Sequence, residues 1–432
     1  MAKQILRARS YIGVATFFLA LVVVKIPSSL NNFWAEDGTF YQQALTDEFA
    51  RDIFSYGGGY VILISRIVAR IVTLGPISHA PFVNVIVVSL ILSFFIHRLY
   101  ANLNFLIKSK VFKFVASVSV FLLPINSFDV IASGGGLHFQ LIFISLVIVL
   151  AARERDKIFK LDVLVVSIAI LSDPFAFLTL APLFLRIRNE VFKFWRNKLS
   201  SLAIIAASGV IQFVMLAKFH SQESRSISNS HSIVKTLYLF LDRVIGSTFV
   251  PHWGRVSSDT LLAGGVRIDL IIRALIGLAT LIVILFFAVV HLKRKLSINE
   301  RHSKATLFWL MILPVIYWFT AGYLFNPEPR YAIFPGLSFL LVALFLLDHF
   351  SCTVRRTFQI SLVTYSVLIF SILIWALSPS PSDRRVIGPE WNSQILNGKL
   401  QCAQANQEFV IVRTLPMDSG WKVKILCTSL IK

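Results

Sequence analysis

Apolar runs recur along the chain from Tyr11 to Trp375, and short clusters of lysine and arginine stand between them. A helix needs roughly 20 apolar residues to cross a bilayer, so runs near that length make lipid the solvent for most of this fold. No folded cytosolic domain fits between them. Composition agrees, with 56% hydrophobic residues, only 15% charged ones and 38 phenylalanines among 432 residues. The expected fold class is an all-α polytopic membrane protein of about 10 transmembrane helices, by count of the runs.

Lysine and arginine number 42 against 22 aspartates and glutamates, a net charge of +20. In a soluble chain that excess points to nucleic acid. Here most of it falls in clusters, around Lys3 to Arg9, Arg98 to Lys113, Arg153 to Lys157, Arg186 to Lys198, Lys293 to Arg301 and Arg355–Arg356. That is the pattern of cytoplasmic loops, and it implies membrane lipid and no nucleic acid as partner. The N-terminal run lacks a small-residue cleavage site, so a retained first helix is expected. With the N-terminus cytoplasmic, a helix over residues 11–28 runs outward and places "WAEDG" in a first outer loop, residues 29–79.

Two apolar runs, 60–75 and 80–98, separate that loop from the next basic cluster, where an odd number of crossings is required. One of them therefore does not cross. In "GYVILISRIVARIVTL", Arg66, Ala69, Arg70 and Thr73 share one helical face, opposite Val61, Ile64, Ile67, Val68 and Ile71, the pattern of a helix lying in the interface. Further crossings are expected at 112–128, 138–152, 200–217, 267–291, 305–322, 331–348 and 358–377. The run "LDVLVVSIAILSDPFAFLTLAPLFLRI" begins and ends at basic clusters but is too short for two crossings, which predicts a hairpin turning at Ser172-Asp173-Pro174. Residues 218–266 form a large outer loop with a second membrane-surface helix at 233–250, and residues 1–377 make up the transmembrane domain.

The tail, residues 378–432, then lies outside, and its alternating stretches "EFVIVRTL" and "WKVKILC" predict the strands of a small β-rich appendage. Cys402 and Cys427 are both there and can pair in an oxidising compartment, whereas Cys352 falls in a cytoplasmic loop.

No zinc spacing, phosphate-binding loop, dinucleotide fingerprint or nucleophile elbow is present. The polar groups that remain gather at the outer ends of the helices. Glu36 and Asp37 can accept the proton of a hydroxyl or ligate a divalent cation, and Trp34, Phe40 and Tyr41 offer ring faces to a sugar; an interfacial aromatic belt with solvated acids is the plainer reading. Arg66 and Arg70, one helical turn apart, suit an anionic phosphate or a lipid head group. "FNPEPRYAIFPG" adds Glu328, Arg330 and Tyr331 in a short outer loop, with Arg330 either a phosphate ligand or an ion-pair partner of Glu328. Weaker candidates are Asp129 and His138, which bracket "SGGG", Asp173 in the hairpin turn, and His252 and Arg255 in "VPHWGR".

The set "WAEDGTFYQQAL", "GGGYVILISRIVARI", "LHFQL", "LSDPFAFLTLAPLFLR", "PEPRYAIFPG" and "GWKVKILC" resembles GT-C glycosyltransferases, and among them bacterial O-antigen-modifying, serotype-converting glucosyltransferases. The resemblance implies transfer of a sugar from undecaprenyl phosphate to an acceptor glycan outside the inner membrane, usually with inversion. It implies that Glu36 or Asp37 is the base, that Arg66, Arg70 and Arg330 grip the donor phosphate, and that a carrier-loading glycosyltransferase and a flippase act upstream. Metal dependence stays open. The rival class is a transporter or flippase of a lipid-linked sugar, which would place charges near the bilayer midplane and often show an inverted repeat. No repeat is found.

Overall fold

The computed structural model describes residues 2–25, 27–54, 56–57, 60–122, 132–155, 158–184, 187–219, 233–249, 268–293, 298–324, 329–351, 390–404, 407–415 and 421–430. Among them helices dominate: α1 (Ala2–Lys25), α2 (Ala35–Thr46), α3 (Phe49–Ile53), α4 (Leu63–Val72), α5 (Ala80–Asn102), α6 (Lys110–Leu122), α7 (Leu137–Arg155), α8 (Lys160–Ser172), α9 (Ala181–Phe184), α10 (Ile187–Phe219), α11 (Ile233–Leu239), α12 (Ser247–Phe249), α13 (Ile268–Lys293), α14 (Ile298–Leu324) and α15 (Ile333–Ser351).

Five stretches are long and apolar enough to cross a membrane: Ile77–Phe105, Ser201–Lys218, Ile271–Lys293, Ser303–Gly322 and Arg330–Phe350. Against the expectation of about 10, five such helices are present among the described residues; Ile12–Val23 and Leu137–Arg153 are shorter apolar helices, and the run expected at 358–377 lies outside the described residues. Lipid is written on the outer faces. Helix α13 exposes Ile272, Leu275, Ile282 and Phe286, and α10 exposes Ile204, Val210 and Phe213, a continuous apolar surface that water would not tolerate.

Helix α7 is apolar on every side, and from Leu141 to Ala151 each residue is buried. A helix of that kind belongs at the centre of a bundle. It packs against α5, α8, α15 and the 3-10 turn Pro174–Leu180 that follows α8. Helix α4 has 10 residues, about 15 Å at the standard rise and half the thickness of the hydrocarbon core, so it does not span. Its polar face is not turned to head groups as the sequence pattern predicted. Arg66 and Ala69 are buried against α2, whereas Ile71 and Leu74 are exposed.

The hairpin at Ser172-Asp173-Pro174 is present, with Asp173 capping the 3-10 turn through a bond from the Phe175 amide at 2.8 Å. The segment expected as a surface helix at 233–250 is instead α11, a π-helical turn Phe240–Gly246 and α12, packed tightly on α13. Its Asp242 pairs with Arg273 of α13 at 2.5 Å, both buried. Glycines make the approach possible, since a Cβ on Gly277 would meet the Leu241 carbonyl oxygen at 2.3 Å.

The appendage contains the two expected strands, β3 (Phe409–Arg413) and β4 (Lys422–Leu426), antiparallel with Ile411 opposite Lys424; two two-residue strands, β1 (Tyr56–Gly57) and β2 (Tyr60–Val61), pair in the first loop. Alternation along β3 and β4 buries Val410, Val412, Val423 and Ile425. They are covered by a helix the sequence reading did not foresee, α16 (Trp391–Gln404), which the Cys402–Cys427 disulfide ties to the end of β4. The appendage is therefore α/β in composition. It is also fused to the first loop. Trp391 donates its amide to Asn31 O at 2.9 Å and its Nε1 to Ile77 O at 2.7 Å, and the Lys424 amide donates to Gln42 Oε1 at 2.7 Å.

Candidate functional site

Six helix ends meet at one end of the bundle: the C-terminal ends of α1, α8 and α14 and the N-terminal ends of α5, α7 and α15. Helix α2 lies across them and presents its first turn, Ala35-Glu36-Asp37, to the "RY" segment that precedes α15. The turn is strained. Ala35 has φ of 34°, in the left-handed region a residue with a Cβ rarely adopts, at a cost of about 1–3 kcal/mol. It is held there because its amide bonds to Leu415 O and the Leu415 amide returns a bond to Phe33 O at 3.1 Å.

The two adjacent acids, about 100° apart around the helix axis, meet different surroundings. Asp37 is 5% exposed, and its Oδ1 accepts hydrogen bonds from the Gly135 amide at 2.7 Å and Ser133 Oγ at 3.1 Å. It organises the "SGGG" turn, where a Cβ on Gly135 would come within 3.3 Å of that same oxygen. Glu36 is 41% exposed and its Oε1 accepts a bond from Arg330 Nη1 at 3.3 Å, with Arg330 itself 29% exposed. Residues almost 300 positions apart thus form an open acid–guanidinium pair (|i−j| 294). Tyr331 stacks the Arg330 guanidinium at 5.8 Å and meets the Phe139 ring edge-on at 5.5 Å.

Arg66 and Arg70 do not join this pair. Both bind one carboxylate, Asp52, which is 0% exposed: Arg66 Nη1 to Oδ1 at 3.2 Å and Arg70 Nε to Oδ2 at 2.7 Å. Arg66 also donates to Gln43 Oε1 and lies 4.7 Å over the Phe40 ring, while Arg70 donates to the carbonyls of Ala44, at 2.8 Å, and Asp47. Burial lowers the pKa of Arg66, and the Asp52 charge works against that shift. In the structure both arginines are engaged by Asp52, away from the Glu36–Arg330 pair, and the two guanidiniums share that one carboxylate.

Trp34 and Tyr41, expected as ring faces for a sugar, are both buried. Trp34 is buried against Leu415 and Trp421. Tyr41 is 0% exposed between Phe33 at 5.0 Å and Trp391 at 6.0 Å, and burial raises its hydroxyl pKa. Both rings hold the appendage to α2 and present no free face to a sugar.

His138, at the start of α7, and Asp173, at the end of α8, are brought side by side, Nε2 to Oδ2 at 3.7 Å. Asp129, His252, Arg255 and Glu328 lie outside the described residues. Asp52, Ser133, Gly135 and Tyr317 went unnoticed in the sequence. Only the glycine run carried a hint of the turn that Asp37 caps. Among the described residues, no three of His, Cys, Asp and Glu gather as a metal site.

No protein-family model matches the chain, and no curated protein is found similar to it. What the site can do rests on its own chemistry: an accessible carboxylate for a hydroxyl proton, and an adjacent guanidinium for an anion.

Proposed function

We propose that the chain is an inverting, polyprenyl-phosphate-dependent hexosyltransferase of GT-C type. It moves a sugar, glucose by the resemblance, from undecaprenyl phosphate to a cell-surface polysaccharide such as O-antigen, on the periplasmic side of the bacterial inner membrane. The observation that carries the reading is the half-exposed Glu36–Arg330 pair at one end of a lipid-facing bundle.

A polyprenyl phosphate keeps its tail in the bilayer and its scissile bond at the surface. Its phosphate competes with Glu36 for Arg330, and the exchange frees the carboxylate as the donor arrives. The acceptor hydroxyl oxygen then attacks the anomeric carbon while Glu36 takes its proton. The bond from that carbon to the phosphate oxygen breaks, and the electron pair leaves with the polyprenyl phosphate, whose growing charge Arg330 stabilises. General-base assistance of this kind is worth about a hundredfold or more. Asp37 acts indirectly, by tying the Ser133–Gly135 turn to the first turn of α2. Positive-inside bias supports this orientation, because the basic cluster from Arg98 to Lys113 lies at the opposite end of the bundle.

The test is linkage analysis of the surface polysaccharide by NMR in strains carrying the wild-type gene, no gene, or Glu36→Gln, with the variant's membrane insertion checked. One side-branch sugar is expected to vanish from both altered strains. An intact glycan with Glu36→Gln overturns the assignment, and a glycan truncated only in the deletion strain supports transport instead.

A further inference from the structure

Beside the Glu36–Arg330 pair, three helices contribute polar atoms that the fold itself leaves poorly served. Tyr317 of α14 is 0% exposed and its hydroxyl has no hydrogen-bond partner among the described residues. Asp173 is 3% exposed; its Oδ1 caps the Phe175 amide, but its Oδ2 faces His138 Nε2 across 3.7 Å, beyond hydrogen-bond reach. His138 lies on the Phe139 ring at 3.9 Å, Phe139 meets Tyr331 edge-on at 5.5 Å, and Tyr317 meets Phe334, just beyond the Arg330–Tyr331 segment, at 5.1 Å, so the cluster is continuous with the site. Aromatic edges wall it, Phe175 at 5.2 Å and Phe334 at 5.1 Å from the Tyr317 ring.

Structural ion pairs in this protein close up. Arg98 meets Asp162 at 2.6 Å and Arg273 meets Asp242 at 2.5 Å. Buried polar atoms are almost always paired, and a buried hydroxyl and carboxylate oxygen left short of partners call for a group that completes them. From the geometry we infer that Asp173, His138 and Tyr317 form a subsite for the hydroxyl groups of a neutral hexose. This deepens the reading above, on which it rests: the hexose is the one carried by the prenyl phosphate at Arg330. A carboxyl group accepts and, when protonated, also donates, a tyrosine hydroxyl does both, and histidine does either. Together they match a polyol. None of the three offers an anionic sugar a fixed positive charge, which leaves the phosphate to Arg330.

The experiment uses the full-length protein in lipid nanodiscs and three synthetic probes, citronellyl phosphate, citronellyl-phosphoglucose and citronellyl-phosphoglucuronate, with binding read by calorimetry. Wild type is expected to prefer the glucosylated probe by about tenfold or more, as one well-made hydrogen bond implies. Tyr317→Phe, which removes only an unpaired hydroxyl and so keeps the fold, and Asp173→Asn are each expected to remove most of that preference while binding citronellyl phosphate as before. Arg330→Ala is expected to weaken both probes. An unchanged preference in Tyr317→Phe and Asp173→Asn overturns the subsite and leaves the donor reading intact. Equal binding of citronellyl-phosphoglucuronate by wild type overturns the neutral-sugar assignment. Failure of wild type to bind either prenyl phosphate overturns the donor reading and the subsite together.

Discussion

Two arginine–carboxylate clusters sit at the same end of this molecule and share helix α2, yet they are opposites. At its C-terminal end, Arg66 and Arg70 converge on Asp52, which is 0% exposed, and Arg70 also donates to the carbonyls of Ala44 and Asp47. At its N-terminal end, Glu36 meets Arg330 through a single 3.3 Å bond, with 41% and 29% of the two side chains open. The chemistry is the same and the surroundings differ. Burial makes the first cluster a joint of the fold, because desolvated charges must keep their partner; exposure makes the ion pair in the second a weak one, for which a substrate can compete.

Removing the partner from the closed cluster is the largest break available. Asp52→Ala strands two guanidiniums, one of them 1% exposed, and is expected to destabilise the protein by about 3–5 kcal/mol, seen as a large drop in the thermal midpoint in detergent or as loss of protein from the membrane. A midpoint within about 1 kcal/mol of wild type would mean the cluster is not the joint described.

The open cluster should show the reverse. Glu36→Gln is expected to cut transfer by about a hundredfold or more, yet to shift stability by at most about 1 kcal/mol, as for any exposed pair. Parallel losses of stability and activity in this variant would erase the distinction between the two ends.

The sequence gives no such distinction. Arg66, Arg70 and Arg330 look alike in it, each near an outer helix end, and helical periodicity even put Arg66 and Arg70 on a polar face suited to water. What reverses that reading is Asp52, an acid in a short helix with no pattern to announce it, which meets them only after the loop folds back. Glu36 and Asp37 are similarly inseparable as neighbours; only their contacts part them, Asp37 with the Gly135 amide and Glu36 with Arg330. Local features were legible: the apolar runs, the Asp173 turn, the two tail strands and the Cys402–Cys427 pair. Long-range contacts were not, since no spacing in a sequence encodes a bond between residues 294 positions apart.

The link between the clusters can be probed where the appendage rests on α2. A Cβ at Gly38 would stand 2.7 Å from Thr414 Cγ2 and 2.9 Å from Val423 Cγ2, so Gly38→Ala must push the appendage off α2 or distort it. Overpacking of this kind costs about 1–3 kcal/mol. Because Gly38 sits one residue beyond Asp37, the displacement should reach Glu36: a fall in transfer rate alongside the lower midpoint is expected, and an unchanged rate would show that the open cluster is set independently of the tail.

The smallest change is the most discriminating. Trp391→Phe keeps a ring for the edge contacts with Phe33 at 5.0 Å and Tyr41 at 6.0 Å and deletes only the Nε1 bond to Ile77 O. Losing that bond is expected to cost about 1 kcal/mol, a shift of a few degrees at most in the thermal midpoint. Helix α2 carries Glu36 in its first turn and gives Gln43 and Ala44 to the arginines in its last, with Tyr41 against Trp391 between them. If α2 moves as a rigid rod, this substitution loosens both clusters, and stability and transfer fall together by similar free energies. If stability alone falls, the closed cluster is what anchors the rod, and the open end is free to exchange Arg330 for a donor phosphate without disturbing the rest.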